Sequence, residues 1–533
     1  MAVVHDYVIV GAGSAGCVLA ARLGEDRDVR VAVIEAGPPD SEPAIHMPLA
    51  FPQLWESRFD WGLWSEPEPE LGGRRDLLPQ GRVLGGSSSL NAMVYIRGNR
   101  ADYDGWAAMG FDGWGYEDVL PYFRRAEDNE RGQSYYHGAG GPLAVSDCRS
   151  MHPLAGACIE AAVEAGIAPN GDHNGPAQEG AGWFQFTQRN GMRCSTAAAY
   201  LRPAVARGNV EVLTDALATR VVFDGQRAAG VEVLRGNAVQ TVRAEREVIV
   251  CAGAYHSPQL LLLSGIGPAA DLRAMGIEPR LDLPVGRNLH DHPVVVLTWL
   301  TDQESLRTAM RPENLELFKR EGRGPLTSGI AEGGAFIRTR PDLDAPDIQF
   351  QFCAAAVAGQ NADPQVPHDG FTIFPTLLTP ASRGQVTLRS KLPHAKPRIL
   401  HNYYAAGHDT RTMIDGTRVA LQIASRPALR KLRRADWAVP DSDSDSDILD
   451  FMRRNTRTDY HPAGTCAMGA VVDTELRVHG AEGLRVVDAS VMPVLPRGNT
   501  NAPVIMIAEK AADLIRGLPP LPRQDVPCQD APR

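Results

Sequence analysis

The stretch from Tyr460, YHPAGTCAMG, sets an imidazole, His461, against a proline in a run of small residues. Such a side chain can fill a core, bind a metal or accept a proton. A zinc site needs three or four ligands, and Cys466 is the only soft donor nearby. No metal site is expected. A proton acceptor needs only placement, because an unperturbed imidazole titrates near pH ~6.5, a useful value for a base at neutral pH. Pro462 pushes the residue before it into extended backbone, which helps to aim the ring. These letters alone leave the core and base readings open.

A second chemical feature lies at the amino end. DYVIVGAGSAGCVLAARL reads as a β-branched strand (Tyr7 to Val10), then Gly11, Gly13 and Gly16 in G-x-G-x-x-G spacing with Ser14 and Ala15 between, then a helix through Leu23. A second strand, RVAVIE, ends at Glu35, followed by Ala36. In such a unit the glycines allow a tight turn, close backbone approach to a pyrophosphate, and close packing of helix on strand. The helix start offers free amides and a positive dipole end to phosphate, and the terminal acid accepts from ribose hydroxyls. This predicts a dinucleotide site and leaves FAD and NAD undecided.

Two further strands extend the same sheet. EVIVCAGAYHSPQLLLLSGIG gives a strand from Val248 to Cys251, then Ala252 and Gly253, then a helix expected to start near Ser257 and Pro258. GLRVVDASVMP gives a strand from Leu484 to Val487 with Asp488 and Ala489 beyond it. Asp488 either holds cofactor hydroxyls or caps a turn. The nucleotide domain therefore returns after a long insertion.

Length and composition bound the rest. The 533-residue chain is 44% hydrophobic, enough for a large core in at least two structural parts. A net charge of -10 argues against a nucleic-acid partner. Cys17, Cys148, Cys158, Cys194, Cys251, Cys353, Cys466 and Cys528 show no C-x-x-C pair, so reduced thiols and a cytoplasmic setting are expected. No secretion signal and no apolar run of membrane-spanning length is visible. DSDSDSD (441–447) lacks the glycine and glutamate of a calcium loop and reads as an acidic loop capping the next helix. IHMPLAFPQLW (Ile45 to Trp55) reads as an apolar loop: a lid, a shallow peripheral contact at the inner face of a membrane, or a loop packed against its own domain. Glu332 in AEGGAF is either a cation ligand near the pocket or a structurally paired carboxylate.

GAGSAG, GRVLGGSSSLNAMVYIRGNRADYDGW, GAYHSPQLLLLSGIG, and YHPAGTCAMG with NTNAP occur in the order and spacing of one family. The chain resembles the glucose-methanol-choline (GMC) flavin oxidoreductases over nearly its whole length, most of all bacterial choline dehydrogenases and aliphatic alcohol dehydrogenases. The resemblance implies an α/β fold, α+β overall: a Rossmann-like FAD-binding domain and a substrate domain built on an antiparallel sheet flanked by helices. The expected domains are 1–296 for FAD with a substrate-side excursion near 150–195, then 297–460 for substrate. A return to the FAD domain follows over 461–516, and a Pro-rich tail over 517–533.

It further implies that Gly11, Gly13, Gly16 and Glu35 hold the ADP half of FAD. Gly85, Gly86, Ser87 and Asn91, with Ala92, Met93 and Val94, would lie against the pyrophosphate and isoalloxazine. Val221 would contact adenine, and Ala252, Gly253, Asp488, Ala489, Asn501 and Ala502 would complete the site. Leu90 stands where some members carry a histidine bonded to the flavin, so FAD is expected to be noncovalent. His461 matches the catalytic histidine and Asn499 the second catalytic position. The implied reaction is oxidation of a primary alcohol, with a quinone or oxygen as acceptor. Choline oxidation and a flavin-containing hydroxynitrile lyase are the alternatives.

Overall fold

The computed structural model describes residues 4–357 and 368–524. Its first sheet is built on Val4–Val10, a β-branched strand buried along its second half. That strand pairs in parallel with Val31–Ile34 on one side and Ala238–Val250 on the other, Val8 lying opposite Ala32 and Val248. Val210–Leu213 extends one edge in parallel, and Leu484–Val486 pairs in parallel with the far end of Ala238–Val250. The near end of that long strand instead joins an antiparallel meander, Ala216–Asp224 and Arg227–Arg235. Parallel strands buried on both faces read as apolar runs, which is why VIV, VAVI and VIV recur.

Helix Ser14–Leu23 packs on this sheet and against helix Asn501–Arg516. A buried carboxylate locks the two together. Glu509, fully buried, accepts from Arg22 Nε at 2.9 Å, Arg125 Nε at 2.8 Å and the Tyr200 hydroxyl at 2.9 Å. Removing one partner of such a buried group costs about 3–5 kcal/mol, so this knot fixes where the Asn501 end of the helix points.

The second sheet is antiparallel throughout. Its order is Arg433–Ala438, Leu297–Thr301, Gly370–Leu377, Ile348–Cys353, Ala331–Ile337, Gly180–Trp183, with Pro293–Val295 pairing Gly370–Leu377 and Thr456–Thr458. Helix Gly407–Ser425 and helix Pro153–Glu164 cover its outer side, where Met413, Ile423, Phe350, Phe352 and Trp299 share one core. In chain order its strands start with Gly180–Trp183 and resume at Pro293–Val295. A short pair, Gln385–Thr387 with Arg398–Leu400, lies within 297–460 yet packs on helix Gly253–Leu263 of the first domain.

Two local readings are corrected. The helix expected near Ser257 starts at Gly253, and Pro258 sits inside it. The proline is tolerated there because the carbonyl it cannot serve, that of Ala254, accepts the Thr465 hydroxyl at 2.6 Å. The strand before it ends at Val250. The acidic loop does cap its helix: Ser444 Oγ accepts from the Asp447 amide at 3.2 Å, at the start of Asp445–Asn455. Seven cysteines, from Cys17 to Cys466, are buried and free among the described residues, while Cys528 lies outside them. Of the tail, 517–524 carries no helix or strand, and 525–533 lies outside the described residues. No helix of the described residues is long and apolar enough to cross a membrane.

Candidate active site

A single cavity of about 1050 Å³ runs from the glycine turn of the first sheet to the inner face of the second. At one end Gly11, Gly13, Ser14, Ala15, Glu35 and Ala36 line it, with Gly86, Ser87, Asn91, Ala92, Met93 and Val94 along its length. Ala252, Gly253, Asp488, Ala489, Asn499 and Asn501 close the far side, and His461 lies at the substrate-domain end. Gly16, Gly85, Val221 and Ala502 do not reach the cavity. Gly16 works from behind, since a Cβ there would stand 1.9 Å from Gly11 O, so it sets helix on strand. Gly85 takes a left-handed turn (φ 88°) and donates its amide to Ala12 O at 2.7 Å.

Val221, expected to meet adenine through its backbone, is not among the residues that line the cavity. Its amide is taken by Ser264 Oγ at 2.9 Å, and the strand meets the cavity through Ala216, Leu217 and Ala218 instead.

Whether these residues fit FAD can be tested on the geometry. Helix Ser14–Leu23 and helix Asn501–Arg516 both begin at the cavity with no side-chain cap, leaving first-turn amides and two positive dipole ends facing it. Loops cross so closely that a Cβ on Gly86 would stand 2.7 Å from Gly13 Cα, which keeps the passage open for a flat, extended group. Glu35 Oε2 accepts the Ala12 amide at 2.9 Å and Oε1 the Gly37 amide at 2.8 Å, and burial pushes its carboxyl up to about 7. Glu35 lines the cavity, and its carboxyl has further hydrogen-bonding capacity beyond these two amides. Asp488 caps: it accepts from Ser490 N at 2.8 Å, Gly253 N at 2.9 Å and Ser257 Oγ at 2.5 Å, tying two loops of the site together. Asn501 Oδ1 accepts the Ser14 hydroxyl at 2.7 Å, joining the two helix starts. Leu90 lines the wall and offers no atom for a covalent link. The cavity fits a dinucleotide with a flat ring at its far end.

His461 is held by its backbone. Tyr460 before it is left-handed (φ 64°), a turn that no local sequence rule announced. Asp291, buried, accepts the His461 amide at 2.9 Å through one oxygen, and the Thr458 and Tyr403 hydroxyls at 2.6 and 2.5 Å through the other. The ring then meets three groups. Its Nε2 faces Asn499 Nδ2 at 3.2 Å, and its Nδ1 faces His292 Nδ1 at 3.0 Å and Asp459 Oδ2 at 3.5 Å. Gln349 donates to Asn499 Oδ1 at 3.4 Å and Gln351 to Asp459 Oδ2 at 2.8 Å, so the antiparallel sheet orients both polar partners.

Burial decides the charges here. It lowers the His461 imidazole from its ordinary 6.5 to about 3, and pushes the Asp459 carboxyl up to about 8. The ordinary imidazole value assumed from sequence is thereby corrected. At neutral pH the pair is a neutral base beside a protonated acid. Asp459, His292, Asp291, Gln349 and Gln351 were all missed in the sequence. Asp459, only two residues from His461, was within reach of that reading; the others come from distant strands.

Part of the remaining wall is apolar. Phe51, Pro52 and Trp55 of the Ile45–Trp55 segment line it with Val294, Val296, Ala355, Ala356 and Phe374, and Trp55 packs on Tyr460 at 5.6 Å between ring centres. That segment folds as a short turn and a 3-10 stretch, Pro48–Leu54, forming a wall of the site. Buried Arg193 anchors it, donating to Ile45 O at 2.7 Å and to Asn91 Oδ1 at 2.8 Å. Glu332 is fully buried and does not line the cavity; it accepts the His152 amide at 2.5 Å. No group of three His, Cys, Asp or Glu among the described residues is placed to hold a metal.

Two GMC oxidoreductase family models match the chain, the amino-terminal one over residues 5–294 and the carboxyl-terminal one over 380–508. The chain is a GMC oxidoreductase. This GMC oxidoreductase is 45% identical to an oxygen-dependent choline dehydrogenase of Burkholderia multivorans, over 98% of its own length and 95% of the relative's. It is 42% identical to an alcohol dehydrogenase [acceptor] of Pseudomonas putida, over 96% and 95% of the two chains. Among solved structures, pyridoxine 4-oxidase from Mesorbium loti superposes with a TM-score of 0.88 at 32% identity, covering 96% of this chain and 99% of that one. The cofactor of this GMC oxidoreductase is FAD, and its class is the FAD-dependent oxidation of alcohols.

Proposed function

We propose that the enzyme oxidises a neutral primary alcohol, aliphatic or arylic, to the aldehyde, with His461 as the base and Asn499 as hydrogen-bond donor to the substrate oxygen. The observation that carries this is the 3.2 Å approach of His461 Nε2 and Asn499 Nδ2 at one end of a cavity that Phe51, Trp55, Val294, Val296 and Phe374 also line. FAD, when bound, supplies the hydride acceptor. Asn499 Nδ2 holds the substrate hydroxyl oxygen and stabilises its developing negative charge, an effect of about 1–3 kcal/mol for a desolvated group. His461 Nε2 takes the hydroxyl proton as hydride leaves the carbinol carbon, giving aldehyde and imidazolium. Asp459 Oδ2, 3.5 Å from His461 Nδ1, then faces the new charge and stabilises the imidazolium through its oxygen dipole, with no proton moved. The uncapped start of helix Asn501–Arg516 adds a positive end beside the ring position.

A quaternary ammonium alcohol such as choline is the second reading, favoured by the Trp55 and Tyr460 rings. Against it, Asp459, the carboxyl beside the His461 ring, is held protonated at neutral pH by burial, and Glu332 lies off the cavity. Two further readings go with the first: a quinone or oxygen as electron acceptor, and a peripheral membrane contact through the Ile45–Trp55 wall. Anaerobic mixing with a panel of primary, aryl and choline-type alcohols tests the assignment. Bleaching of the flavin by neutral primary alcohols at lower concentration than by choline is expected. Preference for choline would move the enzyme to the second reading, and a flavin left oxidised by every alcohol would point to a lyase.

A further inference from the structure

We infer that His292 is a positioning residue that fixes the ring tautomer of His461, so that the base meets its substrate with the Nε2 lone pair. This rests on His461 being the base, and concerns a residue that makes no contact with the reacting atoms.

The constraint starts at a backbone carbonyl. Leu378 O lies 3.1 Å from His292 Nε2, and a carbonyl only accepts, so that nitrogen carries hydrogen. His292 is fully buried, and burial together with His461 holds it neutral, its value pushed well below the usual imidazole range. A neutral ring with hydrogen on Nε2 has a bare Nδ1. That bare Nδ1 faces His461 Nδ1 at 3.0 Å, and two lone pairs do not face each other at that distance, so His461 carries its hydrogen on Nδ1. His461, neutral too, is left with its lone pair on Nε2, the atom that faces the Asn499 amide donor. Asp459 Oδ2, a second acceptor for the same hydrogen at 3.5 Å, points to the same tautomer at longer range.

The backbone builds this pair deliberately into register. His290 and Ala463 form an antiparallel bridge with both amides bonded at 3.0 Å, and the Asp459 amide donates to His292 O at 2.9 Å. Continuing that register sets His292 opposite His461, their rings edge to face at 84°. Without an acceptor at His292, the buried Nδ1 hydrogen loses its nearest partner, and the tautomer with hydrogen on Nε2, which cannot take a proton there, gains population.

Two variants of the flavin-loaded enzyme separate the role from simple packing. His292→Asn places an amide oxygen where Nδ1 stood; His292→Leu fills the space with no acceptor. His292→Leu is expected to slow the limiting rate of anaerobic flavin reduction about 10- to 100-fold, the usual size of a lost orienting partner, with half-saturation by alcohol little changed. His292→Asn is expected to recover most of that rate. In wild-type holoenzyme labelled with ¹⁵N-histidine, the His461 resonances, assigned by their loss in His461→Ala, are expected to show hydrogen on Nδ1 and a bare Nε2. A wild-type signal with hydrogen on Nε2, a His292→Leu enzyme at full rate, or equal losses in both variants would overturn the inference. Should either variant fail to fold, the wild-type resonances decide. If His461→Ala itself keeps the wild-type rate, the base assignment has failed; if it is slow while His292→Leu is fast, only the tautomer role has.

Discussion

His461→Ala is expected to purify yellow, with FAD bound, and to reduce its flavin with alcohol about 10²- to 10⁴-fold more slowly than wild type. The fold should survive because Asp291 grips the backbone amide of residue 461 and leaves the ring free for chemistry. The pH profile of the wild type separates this from a general loss of packing. A depressed imidazole value means that the neutral, proton-accepting form persists as pH falls below its ordinary 6.5 and is lost only toward about 3. The reduction rate is therefore expected to show no acid limb near pH 6.5, and stopped-flow measurements between about pH 5 and pH 8 check it. A limb centred at the free-imidazole value would mean that the ring is solvated when the enzyme works.

Gly11→Ala is expected to yield protein that has lost its flavin. Gly11 sits at φ 100°, and an added Cβ would lie 2.4 Å from Cys251 O, a backbone atom just past the neighbouring parallel strand Ala238–Val250. The left-handed region alone costs a side chain about 1–2 kcal/mol, and the contact can be relieved only by parting the turn from the strand end that also carries Ala252. A weakening of FAD binding on the order of 100-fold or more follows, at about 1.4 kcal/mol per factor of ten. The flavin-to-protein absorbance ratio after gel filtration measures it. A fully loaded alanine variant would mean that the turn does not sit where the phosphates pass.

These two residues also mark what was legible in the sequence. The glycine turn, its strand and helix, and Glu35 were readable because each obeys a local rule of spacing and period. The start of helix Gly253–Leu263 was misread by the same kind of rule: proline suits a first turn, and nothing local says that Ala254 O has found another donor in Thr465. The site around His461 was half legible. Its imidazole and Asn499 followed from resemblance, yet the ring's partners depend on long-range pairing. His292 reaches His461 only because the Asn288 to His292 segment lies antiparallel to Asp459 to Ala463, a register no short motif encodes. Burial was the other hidden term. Nothing in TDYHP says that Asp459 is buried enough to stay protonated at neutral pH.

The central claim is that hydride leaves the carbinol carbon for the flavin while His461 takes the hydroxyl proton. Its most direct test is anaerobic stopped-flow reduction of the wild-type enzyme by one good primary alcohol, protiated and then deuterated at the carbinol carbon. The account predicts bleaching of the oxidised flavin band with both, clearly slower with the deuterated substrate. Bleaching at equal rates under saturating alcohol would place another step ahead of carbon–hydrogen cleavage, and an oxidised band that persists with both would contradict the account.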